Sequence, residues 1–90
     1  MKPDAYDNLR IELNKLQGWP IVYMFKFIIP ADNQKRALVV SKFSDESVIT
    51  WKESSNGKYS SLTVKEVMLD AEAIISKYKE MDGIEGLISL

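Results

Sequence analysis

The sequence predicts a small α+β domain: a four-stranded antiparallel sheet with two helices on one face and a short helix ahead of it. Three observations carry this expectation. Two β-prone runs, Val48 to Glu53 and Tyr59 to Val67, flank Asn56-Gly57, the strongest short hairpin signal a sequence offers. A third run, from Ile21 to Ile29, puts a bulky apolar residue at every odd position. Between and after these runs lie two segments of helical spacing, each preceded by an aspartate able to cap it. Ninety residues, 46% apolar and 28% charged, suit one folded domain and exclude a second core.

Leu9, Leu13 and Leu16 recur near helical spacing in a segment otherwise rich in charge and amide, with Asp4 as its cap. The spacing predicts a helix over about 4–16 that Gly18 ends, so residues 1–18 form a helical extension to a single domain over 19–90. Trp19-Pro20 forces the chain into an extended path. In the strand that follows, Ile21, Tyr23, Phe25, Phe27 and Ile29 face the core, while Val22, Met24, Lys26 and Ile28 share the other face. Pro30 stops it, Asp32 caps a helix through about residue 42 with Leu38, Val39 and Phe43 on its apolar side, and Ser44-Asp45-Glu46-Ser47 breaks that helix.

A two-residue turn at Asn56-Gly57 fixes the hairpin register by counting. Ile49 faces Val64 and Trp51 faces Leu62, all apolar; on the opposite side Thr50 meets Thr63, Lys52 meets Ser61 and Ser54 meets Tyr59. A slip of one residue destroys this sorting. Asp70 then caps a last helix carrying Ala71, Ile74, Ile75 and Tyr78 on one face, Gly83 ends it, and residues 84–90 make a final strand. With right-handed crossovers, the order strand, helix, strand, strand, helix, strand gives the ferredoxin-like βαββαβ sandwich.

The run Ser54-Ser55-Asn56-Gly57-Lys58-Tyr59-Ser60-Ser61-Leu62-Thr63 resembles the Ser-x-x-Gly-x-Tyr-x-Ser-hydrophobic pattern of the YbeD-like family of small bacterial proteins. Trp19-Pro20, Lys26 within the first strand, a Glu-containing last helix and an isoleucine-rich end after Gly83 extend the likeness over about residues 13–90. The resemblance implies a ferredoxin-like fold similar to the ACT-type regulatory domains, in a family that is itself uncharacterised, and it supplies no catalytic residues. This chain departs from the pattern in its longer N-terminus and in Glu66, which stands where the family has an apolar strand residue.

Chemistry is narrowed mainly by what is missing. With no cysteine there are no disulfides, thiolate nucleophiles or Cys-based metal sites, and with no histidine the commonest metal ligand and neutral-pH proton carrier is absent. No metal and no cofactor are expected. A net charge of −1 gives no overall positive field for nucleic acid or an anionic membrane. The start has no signal-type apolar run, and the apolar stretches 21–25 and 27–29, split by Lys26, fall short of the roughly 20 residues of a spanning helix. A cytoplasmic setting is expected.

The sheet face away from the helices is the candidate site. It gathers Lys26, Thr50, Lys52, Tyr59, Ser61, Thr63 and Lys65 with Val22, Met24 and Ile28, a surface suited to a partner protein or a small anionic metabolite, although hydroxyls and lysines also suit a plain solvated face. The turn around Asn56-Gly57 joins two strands and opens no helix, so it is punctuation and not a phosphate loop. RNA binding by stacked bases is not expected, because the first strand's aromatics face the core and the pI is about 5.4. Trp19, Trp51, Tyr23 and Tyr78 read as packing residues, and Met24, Met68 and Met81 as gap fillers or partner contacts. The carboxylates from Glu66 onward read as the solvated side of the last helix and its loop, with no calcium loop among them. Acylphosphatases share the topology, which makes a small hydrolase the alternative, but Arg10 and Arg36 fall on helices and no anion loop follows the first strand. The expected role is therefore noncatalytic: a regulatory or adaptor module, with an edge strand open to pairing in a homodimer.

Overall fold

The computed structural model describes residues 4–90, so Met1-Lys2-Pro3, assigned above to the N-terminal extension, lie outside the described residues. The elements are α1 (Asp7–Asn14), β1 (Ile21–Pro30), α2 (Asn33–Ser41), β2 (Val48–Glu53), β3 (Tyr59–Met68), α3 (Ala71–Asp82) and β4 (Ile88–Ser89). The strands form one antiparallel sheet in the order β2-β3-β1-β4. Each strand-helix-strand passage steps over one strand, β1 to β2 across β3 and β3 to β4 across β1. That is the ferredoxin-like βαββαβ sandwich, preceded by a short helix.

Aspartates set the helix starts. Asp32 accepts hydrogen bonds from the N–H groups of Gln34 and Lys35 at 2.8 and 3.3 Å, and Asp70 accepts from Ala73 at 2.8 Å. Ahead of α1, Asp4 accepts from the Tyr6 N–H while its own N–H donates to Asp7, both at 2.8 Å, a reciprocal capping box. α1 packs against α3 and lends Leu13 to the core, but it ends at Asn14, leaving Leu16 exposed. In α2 the inward residues are Val39 and, just past the helix, Phe43, so Leu38 points outward.

The two faces of the sheet separate as the alternation requires. Phe25, Phe27 and Ile29 of β1 and Leu62, Val64 and Met68 of β3 are buried with Val39, Phe43, Ile74, Ile75, Tyr78 and Met81. Phe25 lies 5.3 Å from Tyr78 edge-on and 5.5 Å from Phe43, centroid to centroid. Each such side chain withdrawn from water contributes about 1.5–3 kcal/mol. Tyr23 closes the cluster, its hydroxyl 3.0 Å from that of Tyr78.

The hairpin has the counted register, with Ile49 opposite Val64, Thr50 opposite Thr63, Trp51 opposite Leu62 and Lys52 opposite Ser61. Its turn differs from the expected two-residue one. Gly57 has φ 71° but Asn56 does not have positive φ, and the Ser54 carbonyl accepts from the Gly57 N–H at 3.0 Å, which makes a type I turn at the head of a four-residue loop. Asn56 and Ser54 side chains accept from the N–H groups of Lys58 and Tyr59 in place of the missing ladder bonds. Ser55 and Lys58 leave the ladder together, one from each arm, so the register survives the longer loop.

β3 runs through Glu66, which pairs with Tyr23, to Met68, one residue past the expected Val67, whereas the last strand differs from expectation. The last strand is only Ile88–Ser89, opposite Ile28 and Phe27, because the residues before it fold into turns in which the Met81 and Ile84 carbonyls accept from the N–H groups of Ile84 and Leu87. Gly86 there has φ 80°, and a Cβ on it would stand 2.9 Å from Cγ of Pro30.

Candidate functional site

The open face of the sheet is built by position parity alone. Residues facing away from the helices are the even positions of β1 and β2 and the odd positions of β3, and the ladders set them in rows. Val22 stands opposite Val67; Val48, Lys65 and Met24 form the next row; then Thr50, Thr63 and Lys26; then Lys52, Ser61 and Ile28, which Ile88 of β4 extends. Tyr59 closes the surface opposite Pro30. All seven candidate residues, Lys26, Thr50, Lys52, Tyr59, Ser61, Thr63 and Lys65, therefore share one surface, and the three lysines occupy three successive rows on three different strands.

Apolar groups surround them. Val22 is 66% exposed and Val67 60%, with Met24, Val48, Tyr59 and Ile88 also open to solvent. The strand positions of this face carry no carboxylate; Glu46 and Glu53 stand at its rim. Among the described residues Lys26, Lys52 and Lys65 enter no ion pair, whereas Arg10, Lys15, Arg36, Lys77 and Lys79 all do. Lys52, Tyr59 and Ser61 line a hollow of about 410 Å³ together with Ile28, Glu53 and Ser54, and the Ser61 hydroxyl is held by the Lys52 carbonyl at 3.2 Å. Phe25 and Phe27 are fully buried, so Tyr59 is the one aromatic ring at the described strand positions of this face.

On the helix side the structure shows two polar clusters that sequence reasoning missed. In the first, Arg36 and Val40, one turn apart on α2, overhang Trp51 and Glu53 of the edge strand β2, and with Ala37 and Ser41 they line a cleft of about 650 Å³. Trp51 thus packs on the core and also walls the cleft. Nη2 of Arg36 donates to the hydroxyl of the fully buried Ser60 at 2.5 Å and to Glu53, and the guanidinium lies 5.9 Å from the Trp51 ring centre. The hairpin parity had already put Trp51 on the inner face; the missing signal was the placement of α2 over it.

In the second cluster, Glu66 accepts from the Ser44 N–H at 2.7 Å and lies 4.0 Å from Nζ of Lys77, which donates to the Lys42 carbonyl and sits 4.9 Å over the Phe43 ring. The unusual glutamate of β3 is thereby given a cation and an amide.

A third set of titratable groups clasps α1 and the residues ahead of it to α3. A hydrogen bond from Lys79 and one from the Tyr6 N–H hold the Asp4 carboxyl down at about 2. Tyr6 stacks on Tyr78 and donates to Asp82; burial, then the Asp82 carboxylate, pushes its phenol up to about 12. Burial and the Tyr23 hydroxyl raise Tyr78 as well. Arg10 joins Glu72 at 2.5 Å and Asp7 at 2.7 Å, and the Glu72 bond raises its pKa.

Among the described residues no group of three or more acidic side chains is placed to hold a metal ion, and no helix is long and apolar enough to cross a membrane. A family model described as a protein of unknown function, DUF493, matches residues 14–89, the same span as the YbeD-like resemblance. No curated protein and no solved structure matches the chain.

Proposed function

Because the chain belongs to the DUF493 family of proteins of unknown function, we propose a role from its surface: a noncatalytic regulatory or adaptor module that works in the cytoplasm by binding, with the open sheet face as its contact surface. One observation carries this reading. A flat face set with exposed Val22, Met24, Val48, Val67 and Ile88 bears three lysines that enter no ion pair among the described residues, and no acidic strand position. The chain as a whole has thirteen acidic residues against twelve basic ones, so the positive charge has been sorted onto this face. Apolar area supplies affinity and the lysines select an acidic counterpart, steering its approach.

The fit is to an acidic protein surface or, in the hollow beside Lys52, Tyr59 and Ser61, to a small anionic metabolite. The test compares capture by the native chain and by a Lys26→Glu, Lys52→Glu, Lys65→Glu variant in extracts of the native host, with circular dichroism confirming that both are folded. Proteins or metabolites held by the first and lost by the second support the reading. An identical captured set removes it, and turnover of an acyl phosphate by the native chain replaces it with the hydrolase.

A further inference from the structure

We propose that the cleft between α2 and β2 is a second, independent binding site, one that takes a small aromatic monocarboxylate. Its size suits such a ligand: about 650 Å³, within the range of small-molecule sites, with Trp51, Val40 and Ala37 as apolar lining and Ser41, Glu53 and Arg36 as polar lining. Arg36 is the anchor. Among the described residues its guanidinium bonds only through Nη2, to Glu53 and Ser60; Nε is buried out of a ligand's reach, and Nη1 makes no hydrogen bond, so the Nη1–Nη2 edge is the one a ligand can meet. A planar fork with unused donors is the group that receives a carboxylate in two-point fashion.

Glu53 marks where that carboxylate goes. Its side chain is 56% exposed, and an exposed ion pair with a single contact is worth little. A ligand carboxylate that displaces Glu53 from Arg36 therefore surrenders little and gains the second contact, while its ring lies against Trp51 in the cleft wall. The buried hydroxyl of Ser60 holds the guanidinium in place during the exchange. A neutral ring finds no such anchor. This site lies on the helix side of the sheet; Glu53 also lines the hollow beside Lys52, but no lysine of the open face lines the cleft, so the lysine variant leaves it in place.

The experiment titrates the native protein with phenylacetate, following the Trp51 indole N–H by NMR with Trp19→Phe to assign it. A saturable shift is expected with a dissociation constant on the order of 1 mM, reasonable for so small a probe. Arg36→Gln should weaken binding at least about tenfold, and Glu53→Gln, which removes the internal competitor, should strengthen it. The strengthening is the readout that a merely apolar groove does not produce. Should Arg36→Gln fail to fold, Arg36→Lys, which keeps the charge but loses the fork, takes its place with the same expectation. Phenylacetamide binding as tightly as phenylacetate, no saturable shift, or Glu53→Gln binding no more tightly than the native chain would each overturn the proposal.

Discussion

Replacing Lys77 with methionine tests how the helix-facing side of β3 tolerates Glu66. The glutamate side chain is 10% exposed and that of Lys77 17%, so both charges have lost most of their water. At 4.0 Å their attraction is about 4 kcal/mol gross at an effective dielectric constant near 20, and desolvation offsets much of it. Lys77→Met removes the compensation and leaves the desolvation: Glu66 keeps only the Ser44 N–H, and the Lys42 carbonyl loses its donor. The expected loss is about 3 kcal/mol, a melting point lower by more than about 10 °C in a domain of this size. Glu66→Leu should cost less, about 1 kcal/mol, since Lys77 retains the Lys42 carbonyl and Glu80 at 3.8 Å. The double variant, an apolar pair in the same space, should return to within about 1 kcal/mol of the native chain, giving a coupling of about 3 kcal/mol. Urea unfolding of the four proteins at unchanged slope measures this cycle. A Lys77→Met loss below about 1 kcal/mol, or a double variant as unstable as the summed singles, would refute the reasoning.

Gly86→Ala should cost more than Gly57→Ala, because both meet a positive φ but only the first also drives a Cβ to 2.9 Å from Pro30; chemical denaturation should separate them by about 1 kcal/mol or more. The Asp4 carboxyl titrates at about 2 in the fold against an ordinary 3.8, so its contribution is complete above the unfolded value and disappears as pH falls toward 2. Melting curves from pH 5 to 2 should then fall more steeply for the native chain than for Asp4→Asn. The Tyr6 phenol, moved from 10.0 to about 12, favours the fold fully below pH 10 and loses that effect as pH climbs through 12. Ultraviolet difference spectra at pH 11 should accordingly show the same phenolate absorbance in the native chain and in Tyr6→Phe.

What could be read in the sequence was what depends on parity and local capping. Strand alternation put Phe25, Phe27, Leu62 and Val64 on one face and Lys26, Thr63 and Lys65 on the other, and the aspartates at 32 and 70 announced their helices. The turn at Asn56 was misjudged because a loop longer by one residue on each arm keeps the same register, leaving the pairing silent about its type. The last strand came out short because residues 81–87 turn before it, and Gly86 in that turn lies beside Pro30, a contact between elements far apart in the chain. The Arg36 cleft and the Glu66 to Lys77 pair were hidden for the same reason. Each needs a helix laid over a particular strand, which periodicity within either element does not encode.

The brevity of β4 places an unusual demand on the rest of the sheet. β1 reads Ile-Val-Tyr-Met-Phe-Lys-Phe-Ile-Ile before its proline, a stretch with one charge and the makeup of a fibril-forming segment. Ile88 and Ser89 shield it only at Ile28 and Phe27, so Ile21 to Phe25 have a strand neighbour on the β3 side alone. Cover at the Pro30 end of that edge comes from Ile88 and Ser89, with the Leu90 N–H on the Lys26 carbonyl and Lys26 itself as gatekeeper against stacking. Proteolytic trimming of those few residues would expose the most aggregation-prone strand in the molecule while leaving its core untouched.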